Sequence, residues 1–185
     1  ALLHAIALLK DNGILPQGLP VYLDSPMATS ATELLERHAS DHKLSSSECE
    51  AACSAVTYVR DVEESKALSA NRYPKVIISA SGMATGGRVL HHIAAYASDH
   101  RNTLLFSGFQ AAGTRGRKLL DGAREVKMFG QGIRINAEVN ELPMLSAHAD
   151  SDELMRWLSG FQEAPRRVFI VHGEPEASEA LRERI

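Results

Sequence analysis

The sequence predicts an α/β protein with a doubly wound, mainly parallel sheet, followed by a smaller α/β segment. Three observations carry that prediction. Short β-branched runs alternate with helical patterns as far as Gly122. The run Lys75-Val76-Ile77-Ile78-Ser79 is of the type expected for a strand buried on both faces. Turn residues, glycine above all, mark most changes of hydrophobic period.

The elements follow in order. Ala1 to Lys10 has apolar residues at helical spacing, with Asp11-Asn12-Gly13 as its stop. Pro20-Val21-Tyr22-Leu23-Asp24 reads as a buried strand, after which Ser25 as N-cap and Pro26 in the first turn open a helix through Leu34, Leu35 and His38. Asp41 to Ser54 is polar and reads as a loop leading into a helix. Val56 to Val59 is a strand, and Asp61 caps the helix containing Lys66 and Leu68. The strand Lys75 to Ser79 leads through a glycine-rich loop into a helix from Arg88 to Ala97. A strand at Thr103 to Phe106 precedes a helix around Lys118. Beyond Gly122 the pattern changes to two strands, Glu125 to Phe129 and Ile133 to Val139, about a Gly130-Gln131-Gly132 turn. A helix from Asp152 to Leu158, a strand Val168 to Val171 and a helix after Pro175 complete the chain. The domain boundary is drawn at Gly122, giving segments 1–122 and 123–185.

At 185 residues, 44% hydrophobic and 23% charged, the chain can bury a core and is not disordered in composition. A net charge of -3 argues against a generally basic nucleic-acid coat. A local cationic groove stays open: Arg115, Arg117, Lys118, Arg124 and Lys127 read as such a groove or as scattered solvated charges. Cys49 and Cys53 sit one helical turn apart, poor geometry for a disulfide, and are read as reduced structural thiols. With no signal peptide and no long apolar span, a cytoplasmic, non-membrane protein is expected. Both ends of the chain interrupt helical patterns, as in a piece of a longer parent.

Three segments carry candidate chemistry. In Ser146-Ala147-His148-Ala149-Asp150, small neighbours let a substrate approach His148, while Asp150 reads equally as a helix cap. In Val171-His172-Gly173-Glu174, His172 closes an apolar strand, where functional groups gather in α/β folds and where packing histidines also occur. The loop of Ser81, Gly82, Thr85, Gly86, Gly87 and Arg88 leads from a buried strand into a helix. It reads as an anion site made of backbone N–H groups, hydroxyls and one cation, or as a tight turn that needs glycine. It is not a nucleotide P-loop, because Arg88-Val89 stands where Lys-[Ser/Thr] is required. Gly130-Gln131-Gly132 is not a dinucleotide fingerprint either, because Ile135 occupies the place of its third glycine. Asp24 could be a functional acid or a turn residue. His4, His38, His42, His91, His92 and His100 are taken as surface or boundary residues without a role.

Five segments in this order, PVYLDSPMA (20–28), ISASGMATGGR (78–88), FSGFQAAGTRGR (106–117), LSAHAD (145–150) and VHGE (171–174), resemble the β-CASP branch of the metallo-β-lactamase superfamily. The likeness extends over nearly the whole chain and is greatest to bacterial relatives of the mRNA 3′-end cleavage endonuclease. It implies a β-CASP cap domain inserted into a metallo-β-lactamase domain that the returning chain completes. It further implies zinc-dependent hydrolysis of RNA phosphodiester bonds, with two zinc ions, single-stranded RNA as partner and a homodimer as one open assembly. By the same resemblance His172 is a zinc ligand, and His148 contacts the scissile phosphate and protonates the leaving oxygen. Ser146 is placed to hydrogen-bond a phosphate oxygen, and the 81–88 loop to line the RNA groove. The family's HxHxDH zinc motif is missing from the sequence. The chain by itself is therefore expected to be inactive. Two other readings remain: an RNA-binding or scaffold module of a paralogue that has lost catalysis, and a small-molecule-binding α/β domain.

Overall fold

Strand β1 (Val21–Asp24) is the centre of a parallel sheet, with β2 (Thr57–Tyr58) on one side and β3 (Val76–Ser79) on the other. The computed structural model describes residues 1–146 and 148–185 and divides into two compact units, Ala1–Leu145 and Ser146–Ile185. In the first unit β1 is connected to β2 through α2 (Pro26–Arg37) and α3 (Ser46–Ser54), with α1 (Leu2–Asp11) preceding them. Helix α4 (Val62–Ala70) then returns the chain to β3 on the far side of β1. The local signals act as expected. Ser25 Oγ accepts the Ala28 N–H with Pro26 at the first helical position, and Asp61 and Glu64 form a reciprocal capping box on α4. Val21, Leu23, Val56 and Ile6 bury their side chains together as one apolar cluster.

After β3 the chain enters α5 (Val89–Tyr96), β4 (Thr103–Phe106) and α6 (Arg115–Leu120). Strands β5 (Glu125–Met128) and β6 (Gln131–Arg134) form an antiparallel hairpin, and β7 (Glu138–Glu141) pairs parallel with β4. Two expectations are corrected here. The turn is Phe129-Gly130, with Gln131 and Gly132 already in β6. The single strand expected over Ile133 to Val139 is two, because Ile135 and Ala137 both turn inward between them and the N–H groups of Asn136 and Ala137 share the Ala97 carbonyl. The second core joins α5, α6 and the hairpin through Leu90, Ile93, Phe106, Leu119, Val126 and Met128. Residues well past Gly122 thus pack into the first unit, through β4–β7 pairing. Cys49 and Cys53 are free thiols in the buried face of α3, where burial and then the neighbouring Cys49 push the Cys53 thiol up to about 11.

The second unit holds α7 (Ser151–Leu158) and α8 (Pro175–Arg184). Asp150 caps α7 in a reciprocal box with Glu153, the bland function the sequence allowed it. Arg184 reaches Asp152 at 2.7 Å and also Ser151. The strand expected at Val168 to Val171 is not formed: this run pairs with no strand among the described residues, and Phe169 and Val171 are 79% and 80% exposed. A β-branched composition favours a strand only where a neighbouring edge receives its N–H and C=O groups. Neither helix of this unit has a buried residue.

Candidate functional site

Two groups of the predicted residues come together, one in each unit. The first surrounds the carboxyl ends of β1 and β3, where the strand order reverses. Open α/β sheets place their crevice at such a switch point, and a cleft of about 430 Å³ lies there, lined by Asp24, Ser25, Met27, Ser81, Gly87 and Arg88. The loop between β3 and α5 is braced from several sides. The Gly116 N–H donates to Met83 O at 3.0 Å, Gln110 Nε2 to Gly82 O at 3.0 Å, and Arg115 to the carbonyls of Ala84 and Thr85. Gly87 has φ +78°, and a Cβ there would lie 2.5 Å from the Ala80 carbonyl oxygen, so only glycine fits.

Arg88 turns inward rather than toward a ligand. Its guanidinium donates to Asp24 Oδ1 at 2.6 Å, and its charge is met there. The Val89 and His91 N–H groups at the start of α5 are likewise taken, by the carbonyls of Ala80 and Arg88. What the loop presents is the hydroxyl pair Ser81 and Thr85, 3.0 Å apart.

The sequence left Asp24 open between a functional acid and a turn residue and missed His92, its buried partner in holding this site. Asp24 is fully buried and accepts hydrogen bonds from Ser65 Oγ, Arg88 and His92 Nε2, each at 2.6 Å. Its backbone carbonyl accepts from Ser79 Oγ at 2.8 Å. His92, taken from sequence as a surface or boundary residue, is instead buried, with its Nδ1 3.0 Å from Ser69 Oγ. Burial would raise the Asp24 carboxyl, but the bonds from Ser65, Arg88 and His92 outweigh it and hold the group below its ordinary range. Burial lowers His92, and Asp24 offsets this only in part. The consistent state is an Asp24 carboxylate neutralised by Arg88, with a neutral His92 that donates to Asp24 and accepts from Ser69. A signal was present in the spacing: Ser65/Ser69 on α4 and Arg88/His92 at α5 are both i, i+4 pairs, and such pairs share one helix face.

The second group is the histidine pair. The rings of His148 and His172 stack with centroids 5.6 Å apart and planes at 25°. His172 has φ +65°, a left-handed turn that histidine tolerates better than most residues and that leads through Gly173 and Glu174 into α8. The His148 N–H donates to Ser146 Oγ at 3.2 Å, which leaves the Ser146 hydroxyl hydrogen for an outside acceptor. Ala147, one of the small neighbours singled out in the motif, lies outside the described residues. Among the described residues no group of three or more His, Cys, Asp or Glu side chains could hold a metal ion. The described residues do not make a zinc site by themselves.

Of the cationic candidates, Arg117 pairs with Asp121 at 2.7 Å, while Arg115, Lys118 and Lys127 line a second cavity of about 400 Å³. No helix among the described residues is long and apolar enough to cross a membrane.

The fold is that of an α/β protein with parallel strand pairing in its first unit. Residues 1–119 match the family model of the Beta-Casp domain, and residues 132–185 match that of the Zn-dependent metallo-hydrolase RNA specificity domain. The chain belongs to the β-CASP family. It is 37% identical over 171 residues to ribonuclease TTHA0252 of Thermus thermophilus, an alignment covering 88% of this chain and 38% of that protein. It is 40% identical over 112 residues to the transcription termination factor FttA of Methanosarcina mazei, covering 58% of this chain and 18% of that one. The FttA of Pyrococcus abyssi is 40% identical over 108 residues, covering 56% and 17%. The chain thus spans well under half the length of these relatives.

Proposed function

We propose that this chain contributes the cap domain (residues 1–122) and the closing metallo-β-lactamase segment (residues 123–185) of a zinc-dependent ribonuclease that hydrolyses RNA phosphodiester bonds. The observation that carries this reading is the stacked pair His148 and His172, brought to 5.6 Å by a loop and a left-handed turn on either side of α7. His148 donates a proton to the leaving oxygen, a task suited to an imidazole because histidine titrates near neutral pH. Ser146 steadies a phosphate oxygen beside it. His172 is the one zinc ligand this chain offers; the other ligands of the two zinc ions belong to another segment of the parent. When bound, zinc supplies a Lewis acid and an activated hydroxide.

The loop residues Ser81, Gly82, Thr85, Gly86 and Gly87 line the RNA groove, and Arg88 acts on it indirectly, by tying the loop to Asp24. The substrate is single-stranded RNA in the cytoplasm, and light scattering on the parent tests a homodimer. Because the zinc ligands are divided between segments, the 185-residue chain alone has no hydrolase activity. Incubation with zinc and single-stranded RNA is expected to leave the RNA intact. Robust cleavage that disappears in His148→Ala would overturn this assignment of ligands.

A further inference from the structure

The turn joining β5 to β6 places Phe129 and Gly130 at φ +51° and +79°. Two successive positive φ values make a type I′ hairpin turn, whose first position favours Asn, Asp or Gly. A phenylalanine there carries a Cβ penalty and gives little back to the fold. The hairpin's core residues are Val126 and Met128, whereas Phe129 is 58% exposed. Its ring stacks on the exposed ring of His91, with centroids 4.5 Å apart and planes at 23°. A large exposed ring held in an unfavourable backbone position points to recognition rather than folding.

A second, independent observation lies beside it. The cavity of about 400 Å³ is lined by Arg115, Lys118, Lys127, Thr85 and Thr114, with Glu125 as its one carboxylate. The Arg115 guanidinium donates to the carbonyls of Lys127, Ala84 and Thr85, which orient it without neutralising it. Among the described residues neither Lys118 nor Lys127 forms an ion pair. Lys127 lies two residues before Phe129 and is exposed on β5, on the face opposite the one that buries Val126 and Met128. Their backbones are therefore separated by about 6.6 Å, within the span of one nucleotide.

We propose that the β5–β6 hairpin is a binding site for a nucleotide of a single-stranded nucleic acid. The base stacks on the Phe129–His91 platform, and the phosphate sits in the cavity of Lys118, Lys127 and Arg115. Aromatic stacking beside a cationic track is how single strands are held without reading their sequence. The site deepens the RNA reading above and rests on it for the substrate class, but it does not involve the histidine pair.

The test is fluorescence anisotropy with a labelled single-stranded RNA of about 10 nucleotides, with chelator present to prevent cleavage. Phe129→Ala and Phe129→Asn are each expected to weaken binding about fivefold or more, and Phe129→Tyr to leave it unchanged. Phe129→Asn creates the favoured Asn-Gly turn, so its Tm should equal or exceed that of the parent sequence and exclude misfolding as the cause. Lys118→Ala with Lys127→Ala should reduce the slope of log affinity against log salt by up to about 0.7, the share of one phosphate. Absence of binding by the unmodified protein, or unchanged affinity in Phe129→Asn and in the lysine pair, would overturn the site. If the parent cleaves RNA while Phe129 is irrelevant to binding, the site fails and the nuclease reading stands. Phe129-dependent binding by a parent that never cleaves would give the reverse.

Discussion

Removal of the Asp24 carboxylate is the sharpest test of how the switch-point loop is held. Asp24→Ala deletes an acceptor that is fully buried and serves three donors at 2.6 Å. It leaves the Arg88 guanidinium, 19% exposed, with only the Val59 and Arg60 carbonyls at 3.4 Å. Breaking a buried charged pair from one side costs about 3–5 kcal/mol. Asp24→Asn should cost less, because its amide can donate to Ser65 Oγ and to the other tautomer of His92, whose Nδ1–H then donates to Ser69. Only the charged bond to Arg88 is weakened, at about 1.5–3 kcal/mol. For a domain of this size Tm falls by roughly 2–4 °C per kcal/mol, so the alanine variant should lose roughly 6–20 °C. Far-UV circular dichroism with heat or urea is the assay. Fluorescence is unsuitable, because the single tryptophan, Trp157, lies in the second unit. Arg88→Met should recover part of the loss in the alanine background, since it removes the stranded charge. An Asp24→Ala variant within about 1 kcal/mol of the parent, or an Asn variant as damaged as the Ala variant, would refute the reasoning.

Other outcomes follow from the same geometry. Burial places the His92 pKa in the folded state below its ordinary value of 6.5, so the unfolded chain takes up the proton first as pH falls. Stability present above that pH is therefore lost on acidification toward the folded value. The depressed Asp24 carboxyl adds a further loss below its ordinary 3.8. Melting curves from pH 7 to pH 5 should show a falling Tm, with a flatter profile in His92→Gln; an identical slope in the variant would contradict the assignment. Gly87→Ala must take up φ +78° with its Cβ against the Ala80 carbonyl, and should lose about 1–3 kcal/mol in urea denaturation. A neutral result there would mean that the loop is not rigidly seated.

Much of the first unit was legible because its signals are local. Ser25-Pro26 and Asp61 with Glu64 announce their helices by hydrogen bonds that span three residues, as Asp150 with Glu153 does in the second unit. The β-branched run at Val76–Ser79 does form a strand, although its residues are only half-buried rather than covered on both faces. The misses are all non-local. The pairing of β4 with β7 has no signature in either segment, and the break at Ile135 to Ala137 follows from two side chains entering the same core. Asp24 could not be distinguished from a turn residue until Arg88 and His92 were seen to converge on it. The apolar run at Val168 to Val171 has strand composition, but pairing depends on an edge that composition cannot supply. Of the candidate site, the residues His148 and His172 were legible from their motifs. The inward commitment of Arg88 was not, because its charge alone suggested a ligand.

The central claim is that His172 holds zinc while His148 moves a proton at the scissile phosphate. The most direct measurement pairs zinc content with single-stranded RNA cleavage in the intact parent protein, for His172→Ala and His148→Ala. The account predicts that His172→Ala loses both bound zinc and cleavage, and that His148→Ala keeps its zinc and loses cleavage by about 100-fold or more. Full cleavage by His148→Ala, or unchanged zinc in His172→Ala, would contradict it.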